Sequence, residues 1–469
     1  MTRLLIAVAI ILFSISLGLA QELKLPARFE VDINPLALAE NKYVIDAYPF
    51  TQSNASDPLH AAFAQCPAEG WKASMQITAG STKITDSNGN MEVAKTSGTA
   101  SSGVRPAWNA NYLGTTADGT ASWINAGKGV VSSLPCIVVA TPGNYPSPTT
   151  LFVGVGGPNA TQELMTFPGA KVTFTGSGKG AAGIVVANKG SLIGLNSQNG
   201  GSVTGKSGAR LDAVVESWCG FANSALGMNQ PSVGCPNMDV QGQYIGAGGA
   251  TINKAVVWIA GVEGQLSFQN NSVALGGANQ IAILTDDTNQ QWNALIYHNI
   301  WILGNHNTGV NGIGYEFRCN QFSQGGSQSA QIIGGAVVDF AGTNPVWIDV
   351  NGTPNGPCKS ILDLGTYIET SNQSPGTGIG INLNNADDFE AFGVHLNGGP
   401  RLAQAVKVSG TGKVHVSGYC SGNVCGSGTQ VINNTTTGKI VYGRGSFSYD
   451  YTPVGPNYIP PIYDGAKPQ

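Results

Sequence analysis

Apolar and polar residues alternate in short runs over the C-terminal two thirds of the chain, and many runs have a small residue or an asparagine at their centre. Alternation with a period of two places every second side chain on one face and predicts β-strands. The runs recur every 25 to 36 residues, with centres at Gly242, Asn270, Asn299, Gly335, Gly365, Gly393, Gly418 and Gly443. A second strand lies between each pair of centres, for example at 255–261 or 346–352. A repeat of two or three strands without a helical period predicts a solenoid in which each turn covers the next.

The length of the repeat varies, which favours an irregular solenoid over one built from hexapeptide units. We therefore predict an all-β fold, a single-stranded right-handed parallel β-helix with an N-terminal capping helix. Asn351, Asn384 and Asn433 close successive strands, and we expect them to stack at a corner, adopt left-handed backbone and bond to each other. The alternative is a β-sandwich, which predicts a strand every ~8–12 residues without a longer recurrence.

Four segments follow from the pattern: a signal peptide at 1–20, a cap with irregular first turns at 21–165, the β-helix at 166–447, and an extended tail at 448–469. The cap includes a predicted helix at 57–64, with Asp57 as N-cap and Pro58 at the first position. Leu59, Ala62 and Phe63 form its apolar stripe. We expect this helix to cover the open end of the solenoid, and 80–132 to leave it as a long excursion.

The first 20 residues carry one arginine, an unbroken apolar core and a small-x-small ending, which predicts a secretory signal cleaved near Ala20. A retained N-terminal anchor is the alternative. We expect a secreted, periplasmic or cell-surface protein, with no membrane association after cleavage. Only 11% of residues are charged, the net charge is -4 and no basic stripe occurs, so nucleic acid is not expected as a partner.

The chain has eight cysteines, an even number that favours disulfides in an exported protein. The disulfide candidates are Cys66, Cys136, Cys219, Cys235, Cys319, Cys358, Cys420 and Cys425. We expect mostly bridges between sequence neighbours, such as Cys319 with Cys358 and Cys420 with Cys425. Zinc is not expected, because no C-x-x-C motif occurs and the five histidines are scattered.

The start of the predicted mature chain resembles a known group. It reads Val44-Ile45-Asp46-Ala47 with Phe50, then Asp57-Pro58, Ala61-Ala62 and Pro67. This pattern is similar to exported bacterial proteins of the pectin-lyase-like right-handed parallel β-helix superfamily. The resemblance implies a β-helix that acts on or binds glycans, and the superfamily includes lyases, hydrolases, epimerases and adhesins.

The catalytic blocks of that superfamily are not found here. Polygalacturonase-like members carry Asn-Thr-Asp, Asp-Asp, Gly-His-Gly and Arg-Ile-Lys blocks, of which this chain has only Asp-Asp, at Asp286-Asp287 and again at Asp387-Asp388. His306 stands in Gly-Asn-His-Asn instead. We interpret both acid pairs as turn acids at strand ends. No catalytic residue is carried over by motif.

Register counting predicts a first candidate site. Counted from the central small residue, the third position is apolar and therefore inward, so the second and fourth positions point outward. The fourth positions place Asp339 and Glu369 on neighbouring turns as candidate catalytic carboxylates. The second positions place Trp301, Tyr367 and His395 beside them as candidate substrate-binding residues. A solvated outer face with occasional carboxylates is the ordinary alternative.

The intervening strands predict an alternative, lyase-type site. Glu316, Asp349, Asn382 and Lys407 occupy one outward register, with Arg318 nearby. Acid, acid and arginine on adjacent turns could hold Ca²⁺ and a uronate carboxylate. Charge pairing between turns is the ordinary explanation, and no other cofactor is predicted.

Two functions remain open from the sequence. The first is a secreted polysaccharide-binding protein that also cleaves its ligand, as a glycoside hydrolase or polysaccharide lyase. The second is a non-catalytic glycan-binding or cell-surface structural β-helix, which the low charge and many amides favour. The expected partner in both is a polysaccharide or cell-surface glycan.

Overall fold

The computed structural model describes most of the chain from Tyr43 onward. The described residues are 43–155, 160–176, 182–187, 190–195, 201–219, 221, 226, 238–260, 266–277, 280–286, 295–303, 312–319, 330–340, 346–370, 378–398, 404–410, 414–420, 430–434, 440–441 and 448–449. The predicted signal peptide and the tail beyond 449 lie outside them, as does His306.

Strands β1 to β37, numbered along the chain, dominate the described residues, and most of them pair in parallel. The all-β class is therefore confirmed. The parallel strands form three ladders, and successive strands along the chain enter the first, second and third ladder in turn. Four long strands, β25, β27, β32 and β34, contribute one half to the first ladder and the other to the second.

The first ladder contains β1 (Tyr43–Asp46), β8 (Cys136–Ala140), β11 (Gln162–Thr166), β14 (Gly190–Gly194), β18 (Met238–Gln241), β22 (Leu266–Gln269), β29 (Cys358–Leu364), β36 (Ile440–Val441) and the first halves of β25 (Leu295–Leu303), β27 (Ala330–Phe340), β32 (Ala386–Gly398) and β34 (Val414–Cys420). The second contains β9 (Gly143–Ser147), β12 (Ala170–Phe174), β15 (Ser202–Gly205), β19 (Tyr244–Gly246), β23 (Ser272–Ala274), β30 (Tyr367–Thr370), β37 (Ser448–Tyr449) and the second halves of the same four strands. The third contains β10 (Leu151–Val153), β13 (Ala182–Val186), β17 (Ala213–Ser217), β21 (Val257–Ala260), β24 (Gln280–Asp286), β26 (Gly312–Cys319), β28 (Val346–Gly352), β31 (Ile379–Asn384), β33 (Gln404–Ser409) and β35 (Gln430–Asn434). A short parallel pair, β16 (Arg210–Leu211) and β20 (Thr251–Ile252), lies between the second and third ladders in chain order.

The pairing register follows the sequence repeat. In the first ladder Met238 pairs with Leu266, Leu266 with Leu295, and Leu295 with Ala330. Apolar residues at alternate positions of all three ladders form one continuous buried cluster. Ile368 and Leu396, predicted to point inward, are both fully buried in it. Each such side chain contributes roughly 1.5–3 kcal/mol on burial, so the cluster fixes the register.

An antiparallel unit occupies the predicted excursion. It consists of β3 (Lys83–Thr85), β4 (Asn90–Thr96), β6 (Thr115–Asp118) and β7 (Ala121–Lys128), with β2 (Gln76–Ile77) paired to β5 (Gly98–Thr99). One face of its sheet, including Met91, Val93 and Ile124, shares a buried cluster with Phe152 and Val185 of the third ladder. This unit therefore covers the outer face of the third ladder at its N-terminal end.

Two short helices, α1 (Phe50–Ser53) and α2 (Pro58–Phe63), lie between β1 and the antiparallel unit in chain order. The stripe of α2 packs into the main core as predicted, since Leu59, Ala62 and Phe63 are buried there. Asp57 is the N-cap residue and Pro58 the first residue of α2, as predicted, but the Asp57 side chain makes no cap hydrogen bond. Its carboxylate instead accepts from His60 Nδ1 at 2.6 Å and lies 3.4 Å from Lys128 Nζ, which ties α2 to the antiparallel unit.

A polar ladder marks a bend at the end of the third-ladder strands. Asn384 Nδ2 donates to Asn351 Oδ1 at 3.1 Å, which confirms the predicted stacking of these two residues. The left-handed residue, however, is the next one along, Asn385, with φ of 49°. The prediction for Asn433 is wrong, because the register pairs it with Lys407 and puts it outside this row.

Two disulfides are described, Cys66–Cys136 and Cys319–Cys358. The second confirms the predicted pair. The first spans 70 residues, because β8 returns beside β1 after the antiparallel unit. Cys219 is also disulfide-bonded. Cys235 and Cys425 and the side chain of Cys420 lie outside the described residues, so Cys420–Cys425 stays a prediction. Within the described residues, no helix is long and apolar enough to cross a membrane.

Candidate functional site

The outer face of the third ladder carries two adjacent rows of side chains. Register defines the first, here called the acidic row, as Phe152, Val185, Glu216, Trp258, Leu284, Glu316, Asp349, Asn382, Lys407 and Asn433. The second, here called the amide row, lies two residues further along each strand and contains Ala260, Asp286, Arg318, Asn351, Asn384 and Ser409. Both rows run across the strands, because parallel neighbours in register lie ~4.8 Å apart.

The acidic row changes character along its length. Its first two members are apolar and lie under the antiparallel unit. Glu316 is still 3% exposed, whereas Asp349, Asn382 and Lys407 are half-buried. The row therefore opens toward solvent at Asp349, with the buried acids Glu216 and Glu316 before this point and polar groups after it.

Glu316 and Arg318 form a close ion pair. Arg318 Nε and Nη2 donate to Glu316 Oε1 at 2.8 and 2.6 Å. Burial raises the pKa of Glu316, and the Arg318 guanidinium opposes that rise without cancelling it. The result is a carboxyl group that holds its proton more tightly than an exposed glutamate, with a cation in place for the ionised form.

Asp349 pairs directly with Glu316 in the register. Its Oδ1 accepts from Asn382 Nδ2 at 2.7 Å. Burial raises the pKa of Asp349, while the Asn382 hydrogen bond and the charges of Arg318 and Lys407 oppose the rise. The Oδ1 of Asn382 is buried and has no donor among the described residues. Glu316, Arg318 and Asp349, predicted as the alternative site, are thus brought together.

A second acidic group, which the sequence analysis missed, lies further up the same face. Glu216 is fully buried, and neither of its carboxyl oxygens has a hydrogen-bond partner among the described residues. Burial raises its pKa well above the ordinary value, the negative charges of Asp212 and Asp286 add to the rise, and Lys254 opposes it. Burial raises the pKa of Tyr112, in the antiparallel unit, to about 12, and the nearby negative charges of Glu216 and Asp212 add to the rise.

Asp286 ends β24, as predicted, but it is not a solvated turn acid. It is 2% exposed, and its Oδ2 accepts from Trp258 Nε1 at 3.0 Å. Lys254 Nζ lies 5.3 Å from the centroid of the same indole. The negative charge of Asp286 adds to the rise in the pKa of Glu316 as well as that of Glu216, so Asp286 links the two acidic groups.

One sequence signal could have identified Glu216. It is the single charged residue in the strand Ala-Val-Val-Glu-Ser, whose five residues are all buried. A charged residue within such a run is expensive to bury unless it is neutralised, which marks it as unusual. The neighbouring sequence does not indicate that the outer face of this strand is covered.

The first candidate site is defined only in its backbone. Register pairs Asp339 with Glu369, and Val337 with both Trp301 and Tyr367, which agrees with the register counting. Tyr367 also pairs with His395, and their rings lie 4.9 Å apart, nearly perpendicular. The side chains of Asp339, Glu369 and Trp301 lie outside the described part of the chain, so their catalytic and binding roles stay predictions.

Within the described residues, no group of three or more His, Cys, Asp or Glu side chains is arranged to hold a metal ion. In the lyase-type interpretation Glu316 and Asp349 would bind Ca²⁺, but the structure pairs Glu316 with Arg318 instead. The arrangement of described residues fits proton transfer better than metal coordination.

No family model matches the chain, and no curated protein or solved structure is significantly similar to it. The resemblance to pectin-lyase-like proteins therefore stays a prediction from the quoted residues.

Glu216→Gln should stabilise the protein increasingly as the pH rises. The unfolded glutamate ionises with a pKa of about 4.3, whereas the folded one keeps its proton to much higher pH. The contribution of Glu216 to wild-type stability is fully present at low pH, where its side chain is protonated, and is lost as the pH rises toward the pKa of Glu216 in the folded state. Glutamine does not ionise, so the variant's advantage in unfolding temperature should grow between about pH 5 and pH 8. Glu390→Gln, at an exposed position, is the matched control; an equal effect there, or a pH-independent difference, would contradict the assignment.

Proposed function

We propose that the protein is an extracytoplasmic right-handed parallel β-helix of the pectin-lyase-like type that binds polysaccharide and hydrolyses its glycosidic bonds at Glu316 and Asp349. The β-helix is supported by three parallel ladders that the chain enters in constant order. Export is supported by the apolar leader and by the disulfides. Glycan as the ligand is supported by the sequence resemblance.

The observation that carries the proposal is the carboxyl pair itself. Glu316 and Asp349 are direct register partners on adjacent parallel strands, and the acidic row opens toward solvent between the buried Glu316 and the half-buried Asp349. Adjacent strands lie ~4.8 Å apart, close to the ~5–5.5 Å between carboxyl groups in glycosidases that retain anomeric configuration. Both acids have raised pKa values, which suits a pair that carries one proton.

The surroundings of each acid assign its role. Glu316 is the more deeply buried and is the general acid, giving its proton to the glycosidic oxygen as the bond to the leaving sugar breaks. Arg318 then stabilises the glutamate charge from 2.6 to 2.8 Å. Asp349, oriented by Asn382, attacks the anomeric carbon and forms a glycosyl ester. Water, deprotonated by Glu316, hydrolyses the ester and restores both groups.

A non-catalytic glycan-binding protein is the second candidate. It is favoured by the amide row, in which Ser409 Oγ donates to Asn384 Oδ1 at 3.2 Å and Asn384 donates to Asn351. Such a row offers donors and acceptors to sugar hydroxyls without any reaction. β-Elimination is less well supported, because Arg318, which the predicted lyase-type site needs for the uronate carboxylate, is engaged by Glu316.

Glu316→Gln and Asp349→Asn should each abolish most hydrolysis. Removing a general acid or nucleophile costs on the order of 10²–10⁴ in rate. The test is release of reducing ends from a polysaccharide panel, with ultraviolet absorbance reporting any unsaturated product. The double variant Asp339→Asn/Glu369→Gln is the matched control and should keep wild-type turnover.

Loss of turnover in that control alone would move the reaction to the first candidate site and contradict our assignment. An unsaturated product would replace hydrolysis by elimination. Binding without any product from the wild-type protein would favour the second candidate.

The pH profile of kcat/KM should be bell-shaped, with its acidic limb set by Asp349 and its basic limb set by Glu316. Asp349 must be ionised, so activity is lost as the pH falls through its raised pKa. Glu316 must be protonated, so activity is lost as the pH rises through its raised pKa. Arg318→Met removes the cation that lowers the pKa of Glu316 and should shift the basic limb to higher pH, which stopped-time assays across buffers would measure. A basic limb that stays in place would exclude Glu316 as the acid.

A further inference from the structure

We propose that the antiparallel unit is a proton-controlled cover of the third ladder: it docks while Glu216 carries a proton, and the proton leaves when the unit opens. The inference concerns the N-terminal end of the outer face of this ladder, which the proposed hydrolysis does not use. It therefore holds whether or not the protein cleaves glycans.

Apolar contacts define the docking surface between the unit and the ladder. Val93 of the unit shares one buried cluster with Phe152 and Val185 of the ladder and with Trp218, which directly follows β17. The Phe152 and Trp218 rings meet edge to face, with their centroids 5.9 Å apart. Lys83 Nζ of the unit lies 5.3 Å from the centroid of the Trp218 ring. The unit therefore replaces solvent on the outward side of the ladder at this end.

Glu216 lies at the margin of this docking surface. It pairs with Val185 in the register, and Trp218 stands two residues further along the chain. Tyr112 faces it from the unit: burial raises the pKa of this tyrosine, and the charge of Glu216 adds to the rise. Glu216 is fully buried, whereas Asp349, further along the same row and beyond the unit, is half-buried. We infer that docking moves the Glu216 carboxyl group from water to the interior.

The buried carboxyl group has no donor to hold a negative charge. Neither oxygen of Glu216 has a hydrogen-bond partner among the described residues. Two neighbouring acids accept hydrogen bonds instead, Asp212 from Asn253 and Asp286 from Trp258, each at 3.0 Å. A carboxylate without donors is strongly disfavoured in the interior, whereas the neutral acid is tolerated. Docking therefore takes up a proton at Glu216.

The charged groups around Glu216 act in the same direction. Burial raises its pKa well above the ordinary value, Asp212 and Asp286 add to the rise, and Lys254 opposes it without cancelling it. Lys83, elsewhere on the docking surface, has the opposite linkage, because burial lowers its pKa to about 8. Well below that pH, Lys83 is charged in the docked and the open form alike, so it adds no pH dependence there.

The direction of the pH effect follows from these two states. An exposed glutamate in the open form ionises with a pKa of about 4.3, whereas the docked one keeps its proton to much higher pH. Between these values the docked form binds one proton more than the open form. The equilibrium constant for opening should therefore rise about tenfold per pH unit. By reciprocity, a ligand of the uncovered face would bind more tightly as the pH rises.

Thiol labelling of the full chain under native conditions measures the opening. Ala187→Cys on the ladder and Ala126→Cys on the unit place a thiol on each side of the docking surface, where both alanines are buried. After correction for the reactivity of a free thiol at each pH, labelling should accelerate about tenfold per pH unit between about pH 5.5 and 7.5. Glu216→Gln in the same backgrounds should remove this slope. Ala170→Cys, buried in the main core, is the matched reporter of solenoid unfolding and should label far more slowly.

Three outcomes would overturn the inference. Labelling that is independent of pH, or that keeps its slope in Glu216→Gln, would show that docking takes up no proton at this residue. Equal labelling at Ala170→Cys would mean that the solenoid unfolds as a whole. Glu92 is a second buried acid without hydrogen-bond partners among the described residues, and burial raises its pKa to about 8. A slope that Glu92→Gln removes and Glu216→Gln keeps would place the proton inside the unit.

Discussion

Parallel pairing in constant register is the constraint on which the rest of this structure depends. Each strand bonds to the strand one repeat earlier, so residues at equivalent repeat positions become neighbours in a row. Inward rows become the continuous core, and a one-residue slip would turn Ile368 and Leu396 to solvent. Outward rows become surfaces, and the residues of each row recur at intervals of 25 to 36 residues in the sequence. Glu316 meets Asp349 for the same reason that Ile348 meets Ile381.

The same constraint explains why polar chemistry concentrates on one face. The antiparallel unit covers the third ladder at its N-terminal end, where Phe152 and Val185 are buried on a face that would otherwise be solvated. Glu216 follows them in the row and is enclosed, which leaves its carboxyl group neutral over a wide pH range. Past this cover the row opens, and Asn382, Arg318 and Lys407 oppose the rise that burial causes in the pKa of Asp349.

Much of this could be predicted from sequence because the information is local and repeated. The pairing of Tyr367 with His395, the buried stripe of α2 and the Cys319–Cys358 bridge all follow from alternation and repeat length. The predictions failed where contacts with a distant segment of the chain determine the local structure. Asp57 bonds to His60 and to Lys128 of a unit 71 residues away, so its side chain makes no cap hydrogen bond although it is the N-cap residue of α2. Glu216 and Asp286 are enclosed by neighbours far along the chain, and Asn433 falls in another row because it pairs with Lys407, two residues before the position that continues the row of Asn384.

The most direct test of this account is a pair of engineered cross-links. Cα atoms in register on adjacent parallel strands lie ~4.8 Å apart, within the ~4.4–6.8 Å range of disulfides. Glu316→Cys with Asp349→Cys should oxidise readily to an intramolecular disulfide, seen by mass spectrometry of the protease digest. Glu316→Cys with Val350→Cys, displaced by one residue and facing inward, should not. Cross-linking of the displaced pair alone would show a different register, and with it the carboxyl pair and both outer rows would be lost.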